Sequence, residues 1–204
     1  MIVAFMGNDG SGKTTVIKLL EKKLIECGQK VIYVPGYDHL FLDQFKRWYQ
    51  KLSGANLDKV HRLYDDTDRT KTSKLFYLWP YFVFIDCVFL LLKYWLKPDK
   101  IVLFDRYVYD YVISFKNLGV CTALAEFLFL ALPKPVYSFV FDISPEIAYE
   151  RKKYDHKGDI EYYRKQRERY LWLAKNKNIL VINTDKATPE EIAKKIFNQL
   201  CLKT

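Results

Sequence analysis

Five short apolar runs punctuate the chain: IVAFM (2–6), KVIYV (30–34), KIVLF (100–104), VYSFVFDI (136–143) and NILVIN (178–183). Most are continuously apolar rather than alternating, as strands read when both faces are covered. Each is parted from the next by a segment of helical length, and parallel neighbours need such a crossover. Helix-like spacing occupies Lys13–Glu26, Phe41–Lys51, Thr72–Leu96, Thr122–Leu132, Pro145–Tyr154, Ile160–Lys175 and Pro189–Leu202. Turn residues fall at Gly28, Pro35-Gly36, Pro133 and Pro135, between these segments. The expected fold is therefore α/β, a three-layer α/β/α sandwich on a five-stranded parallel sheet. A chain of 204 residues suits a single domain, 1–204. The polar stretch Leu52–Ser73, ending DDTDRTKTS, is the expected mobile loop.

The first run stops at GNDGSGKTT, Gly7 to Thr15, which matches G-x-x-x-x-G-K-[ST] with a strand before it and a helix after it. Backbone N–H groups at a helix start point at phosphate oxygens, and glycine permits both the turn and the close approach. Gly7, Asn8, Gly10, Ser11, Gly12, Lys13, Thr14 and Thr15 are thus the expected nucleotide-binding residues. Lys13 would reach the β- and γ-phosphates, and Thr14 would offer its hydroxyl to Mg²⁺.

IVLFDRY puts Asp105 and Arg106 at the end of the third run, and strand C-terminal ends face the ligand crevice of a parallel sheet. An acid there can hold Mg²⁺ through water and an arginine can clamp a phosphate; capping of the next helix is the competing role. From Arg151 to Lys177 there are ten Lys or Arg and four Asp or Glu. Much of this, RKQRER above all, reads as a solvated helix face. Arg151 stands apart, at a helix end leading into YDHKGD, the arrangement of a short lid around 151–160.

The formal net charge of +9 favours an acidic partner or else reflects a Lys-rich solubilising surface. Because the basic residues cluster at the lid, the partners expected are small-molecule nucleotides, with neither nucleic acid nor membrane. Cys27, Cys87, Cys121 and Cys201 show no metal-ligand spacing and read as reduced, mostly buried thiols of a cytoplasmic protein. No basic segment precedes the first strand, which argues against a cleaved signal. The stretch Leu75–Leu96 is broken by Pro80, Asp86 and Lys93, and its longest uncharged run is eleven residues. A bilayer requires about 20. It reads as an apolar helix buried in the core or in a homodimer interface.

MGNDGSGKTT, FDRY, FDISPEIAYERK, RKQRERYLWLAK and TDKATPEEIAKKI, in that order, resemble the thymidylate kinase family of nucleoside monophosphate kinases. The resemblance implies a P-loop kinase fold and ATP-dependent phosphorylation of dTMP to dTDP with Mg²⁺. Carried over, Asp9 orients the acceptor, Lys13 and Arg106 hold phosphates, Tyr107 packs near the sugar, and Arg151 is the lid arginine on the transferring group. Lys152, Lys153 and Lys157 are further lid cations, Gly10 standing where some family members have arginine. Thr14 and Asp105 are the metal residues. Tyr37 occupies the place of a phosphate-binding cation, with Arg47 available to compensate. The family's base-reading arginine is absent from PYFVFID, where Tyr81 or Phe82 would stack on the base instead. Tyr109, Asp110 and Phe115 replace the family's serine and glutamine beyond FDRY, and adenine is expected near Asp185–Ala187. A deoxynucleoside kinase, another pyrimidine nucleotide kinase and a non-catalytic nucleotide-binding paralogue are the alternatives. NTDK lacks the guanine-reading order of regulatory GTPases.

Overall fold

A computed structural model of the chain describes residues 1–36, 40–41, 77–117, 119–152 and 159–201. Five strands, β1 (Ile2–Gly7), β2 (Val31–Val34), β3 (Ile101–Asp105), β4 (Tyr137–Asp142) and β5 (Leu180–Asn183), form one sheet in the order β2-β3-β1-β4-β5. Every neighbouring pair is parallel. The helices among the described residues are α1 (Lys13–Glu26), α2 (Trp79–Trp95), α3 (Tyr109–Asn117), α4 (Ala123–Ala131), α5 (Pro145–Lys152), α6 (Ile160–Lys177) and α7 (Pro189–Cys201). The expected α/β architecture, with its five-stranded parallel sheet, is the one observed.

The chain divides into two compact units, one of Met1–Gly36, Tyr94–Tyr107 and Lys134–Thr204, the other of Tyr37–Lys93 and Val108–Pro133. The first carries the sheet. Side chains alternate across a strand, and Val3, Phe5, Ile101, Leu103, Phe139 and Phe141 all face one way. There they meet Val16, Ile17, Leu20 and Leu24 of α1 and Ile192, Ala193, Ile196 and Leu200 of α7. On the other face, α6 packs against β4, β1 and β5 with Tyr163, Tyr170, Leu173 and Ala174 buried. β1 and β3 are buried along their whole length because they are covered above and below, whereas β5, at an edge, exposes three of four residues. Truncating a fully buried leucine such as Leu20 would cost about 2–5 kcal/mol, so this core fixes where the strand ends lie.

In the second unit, Phe84, Tyr111 and Phe115 gather around Phe129, with the Phe84–Phe129 and Phe115–Phe129 centroids 5.6 Å apart. Asp86, read from the sequence as an interruption of an apolar stretch, is buried and accepts the Phe41 N–H at 2.7 Å and the Leu40 N–H at 3.1 Å. α2 is apolar on both sides but covered on only one of them. It buries Val83, Cys87, Leu90 and Leu91 but exposes Phe82, Ile85, Phe89 and Leu92.

Helix α3 has no counterpart in the sequence reading. YDYVISFKN is rich in aromatic and β-branched residues, poor helix formers in isolation; burial of six of its nine residues overrides that preference. The thiols also differ from expectation: only Cys87 is buried, while Cys27 and Cys201, at the solvent ends of α1 and α7, are exposed. No helix among the described residues is long and apolar enough to cross a membrane. The helix expected at Phe41–Lys51 beyond Phe41, the loop Leu52–Ser73, Tyr37, Arg47 and the lid from Lys153 through residue 158, with Lys157, lie outside the described residues.

Candidate functional site

β1 ends at Gly7 with φ of +135°, and a Cβ there would come within 2.4 Å of the Phe141 carbonyl oxygen on β4. Only glycine fits. Gly10 and Gly12, both at φ +83°, then turn the chain back on itself into α1. The Lys13 ammonium is buried inside this loop, donating to the carbonyls of Gly7 (2.8 Å) and Asn8 (2.7 Å) and to Ser11 Oγ (3.2 Å). Its N-cap, Gly12, supplies no side-chain cap, and the first turn of α1 holds no acid. The positive end of the helix dipole is therefore not offset by a side-chain cap or an acid of the helix's own first turn, the condition for binding an anion.

At the loop's far side, Thr14 Oγ1 donates to Asp105 Oδ2 at 2.5 Å, joining α1 to the end of β3. Tyr33 on β2 donates its hydroxyl to the same oxygen at 3.2 Å. Burial, and after it the negative charge of Asp105, pushes the Tyr33 phenol up to about 12, so it stays protonated and donates. The Thr14 hydroxyl and Asp105 carboxylate are hard oxygen donors in contact, a set that fits Mg²⁺, which keeps much of its own water.

Arg106 has a left-handed backbone, φ +84°, unusual for a residue with a side chain. Its N–H is held by the Phe5 carbonyl at 2.9 Å, and its guanidinium is paired to the Asp9 carboxylate and donates to the Tyr170 hydroxyl at 2.9 Å. Gly36 makes room for this turn: a Cβ at 36 would sit 2.7 Å from the Asp105 carbonyl and 3.1 Å from Arg106 Cδ. Phe104, flanked edge-on by Tyr94 at 5.4 Å and Tyr107 at 5.7 Å, braces the turn with buried aromatic rings.

Arg151, in the last turn of α5, donates to the Gly10 carbonyl at 2.9 Å. Beside it, Arg167 forks onto Asp142 with Nε–Oδ1 of 2.6 Å and Nη2–Oδ2 of 2.8 Å. Asp185 accepts the Ser144 N–H at 2.8 Å and its hydroxyl at 2.5 Å. Burial raises the Asp185 pKa, but these bonds and the charges of Arg167 and Arg151 outweigh it and hold the carboxyl below its ordinary value.

No family model matches the chain. Curated relatives do. A thymidylate kinase of Thermosipho melanesiensis is 32% identical over 91% of this chain and 90% of its own length. Another, of Maridesulfovibrio salexigens, is 31% identical over 96% and 93%, and a probable thymidylate kinase of Sulfolobus acidocaldarius is 29% identical over 93% and 91%. The chain belongs to the thymidylate kinase family.

Set beside the thymidylate kinase motifs, the structure brings Asp9, Lys13, Thr14, Asp105, Arg106 and Arg151 together in the sheet-bearing unit. Tyr107 is buried against Phe104, so it backs the Arg106 turn. Tyr81 belongs to the other unit, where its hydroxyl lies 2.8 Å from Thr122 Oγ1 at the start of α4. Sequence reasoning missed Tyr33, Tyr170 and the Arg167–Asp142 pair. Arg167 lies within RKQRER, and its bidentate bond to a buried acid removes it from the solvated face expected there. Tyr170 recurs with Tyr163 and Gln166 at helical spacing, a stripe that reads as plain core.

Proposed function

We propose that the protein transfers the ATP γ-phosphoryl group to dTMP, giving dTDP and ADP, as a cytoplasmic nucleoside monophosphate kinase. One observation carries this reading in a chain of this family: the phosphate loop is bonded to the acid–arginine pair at both of its ends, Thr14 to Asp105 and Asp9 to Arg106. The loop and the Lys13 ammonium hold the donor's phosphates, displacing hydroxyl and carbonyl partners that Lys13 otherwise uses. Arg106, its guanidinium fixed by Asp9 and Tyr170, clamps the acceptor phosphate and turns one of its oxygens toward the γ-phosphorus. A new O–P bond forms as the bond to the β-bridging oxygen breaks, and ADP leaves with that electron pair; no group on the protein becomes covalently attached. Arg151, in the last turn of α5, supplies positive charge to the moving phosphoryl group. Thr14 and Asp105 would hold Mg²⁺, which when bound neutralises charge on the donor's phosphate oxygens.

The exposed Phe82, Ile85, Phe89 and Leu92 alternate in steps of three and four along α2, the spacing of a helix–helix seam. A homodimer covering this seam is part of the same reading. Offering all mononucleotides and nucleosides with Mg·ATP tests the function, with Lys13→Ala as the blank. dTMP is expected to be the preferred acceptor; thymidine as the preferred acceptor, or ATP binding with no transfer to any mononucleotide, would overturn it. Sedimentation of Phe89→Glu as monomer, against a wild-type dimer, tests the seam.

A further inference from the structure

We propose that Tyr33 is a positioning residue for Asp105, and through that carboxylate for the divalent cation. The inference rests on the reading above that Thr14 and Asp105 hold Mg²⁺. Tyr33 pairs with Leu103 across the β2–β3 ladder. Because side chains alternate along a strand, Leu103 and Asp105 share the face of β3 that Tyr33 also faces. Its partly buried ring packs against the apolar core between the sheet and α1, and its hydroxyl reaches one pleat forward to Asp105 Oδ2.

A phenylalanine would fill the core space equally well, so the hydroxyl is accounted for by the bond it makes. Both Tyr33 and Thr14 donate to Oδ2. Among the described residues Oδ1 accepts no hydrogen bond, and two donors on one oxygen restrict how the carboxylate can turn. Of these donors Thr14 is itself a ligand in the proposed site, so Tyr33 is the donor that holds Asp105 independently of the metal. It does so from a strand rather than a loop. The other charged group facing the phenol is Glu21 on α1, which cannot replace the bond because it is an acceptor. Hydrogen-bond partners one step behind a metal ligand typically change metal affinity about 10–100-fold when removed.

The test is Tyr33→Phe in the full chain, with Mn²⁺ titrated by electron paramagnetic resonance in the presence of ADP, so that no acceptor and no turnover are involved. The expected result is Mn²⁺ affinity about tenfold weaker, with metal-free ADP affinity and the unliganded thermal midpoint unchanged. In turnover, the Mg²⁺ concentration for half-maximal rate rises while the acceptor KM stays the same. Mn²⁺ affinity equal to wild type overturns the proposal, and so does a loss of metal affinity accompanied by an equal loss of unliganded stability, since Tyr33 would then act through packing. Tyr33→Leu separates these further: it removes the ring as well, and only under the proposal does its metal affinity match that of Tyr33→Phe. If wild-type protein binds no ADP, the phosphate-loop reading itself fails; ADP binding with unaltered Mn²⁺ affinity in the variant removes the Tyr33 role alone.

Discussion

Two helices lie side by side on one face of the sheet, α1 and α7, and they begin in opposite ways. α7 closes its own start: Glu191 accepts the Thr188 N–H at 2.9 Å while Thr188 Oγ1 accepts the Glu191 N–H at 3.3 Å, and Glu190 and Glu191 complement the dipole. α1 starts at a left-handed glycine with no cap and no acid, and carries a buried ammonium instead. Their inner faces are equally apolar and pack on the same core. The burial that holds a helix in place is thus independent of how its first turn is finished, and the unfinished one is the one left with donors for an outside anion.

The largest expected effect comes from emptying the open start. Lys13→Ala should lower kcat/KM by about 10³-fold without unfolding the chain, as initial rates and circular dichroism would show; rates within tenfold of wild type would break the contrast. Closing α1 in the manner of α7 is the sharper trial. Thr15→Glu puts an acid in the exposed first turn, and should leave unliganded stability equal or raised by about 0.3–1 kcal/mol while weakening ATP binding about 100-fold, measured by calorimetry. Opening α7 has the converse signature: Thr188→Ala should cost about 1 kcal/mol in urea unfolding and leave ATP affinity untouched.

The smallest effect concerns the turn leading into α7. Asp185 has a depressed pKa in the folded state, so its contribution is present above the unfolded value and lost as pH falls through the folded one. Asp185→Asn should be less stable than wild type at pH 7, with the gap closing as the pH is lowered below about 4. A gap that widened on acidification would reverse the sign of that interaction.

Much of this could be read along the chain. The five strands, the extents of α1 and α7, and the whole phosphate loop depend on residues close in sequence, where apolar runs, helical spacing and glycine spacing speak directly. α3 was hidden because YDYVISFKN has the local preferences of a strand, and its helix exists through what it buries. Tyr33, Tyr170 and Arg167 were hidden for another reason. Two lie at positions that periodicity assigns to the core and one within a charge run, and nothing near them in sequence names their partners Asp105, Arg106 and Asp142.

The parallel α/β sheet, the glycine turn of Gly7–Thr15 into α1 and the class of chemistry such a turn suits are thus legible along the chain, since each arises from short-range sterics and hydrogen bonding. Which side chains surround that turn is settled by packing between distant segments. Closing the sheet in the order β2-β3-β1-β4-β5 sets β3 between β1 and β2, and this alone puts the Tyr33 hydroxyl against Asp105 and the Asp9 carboxylate against Arg106, contacts between residues 72 and 97 positions apart.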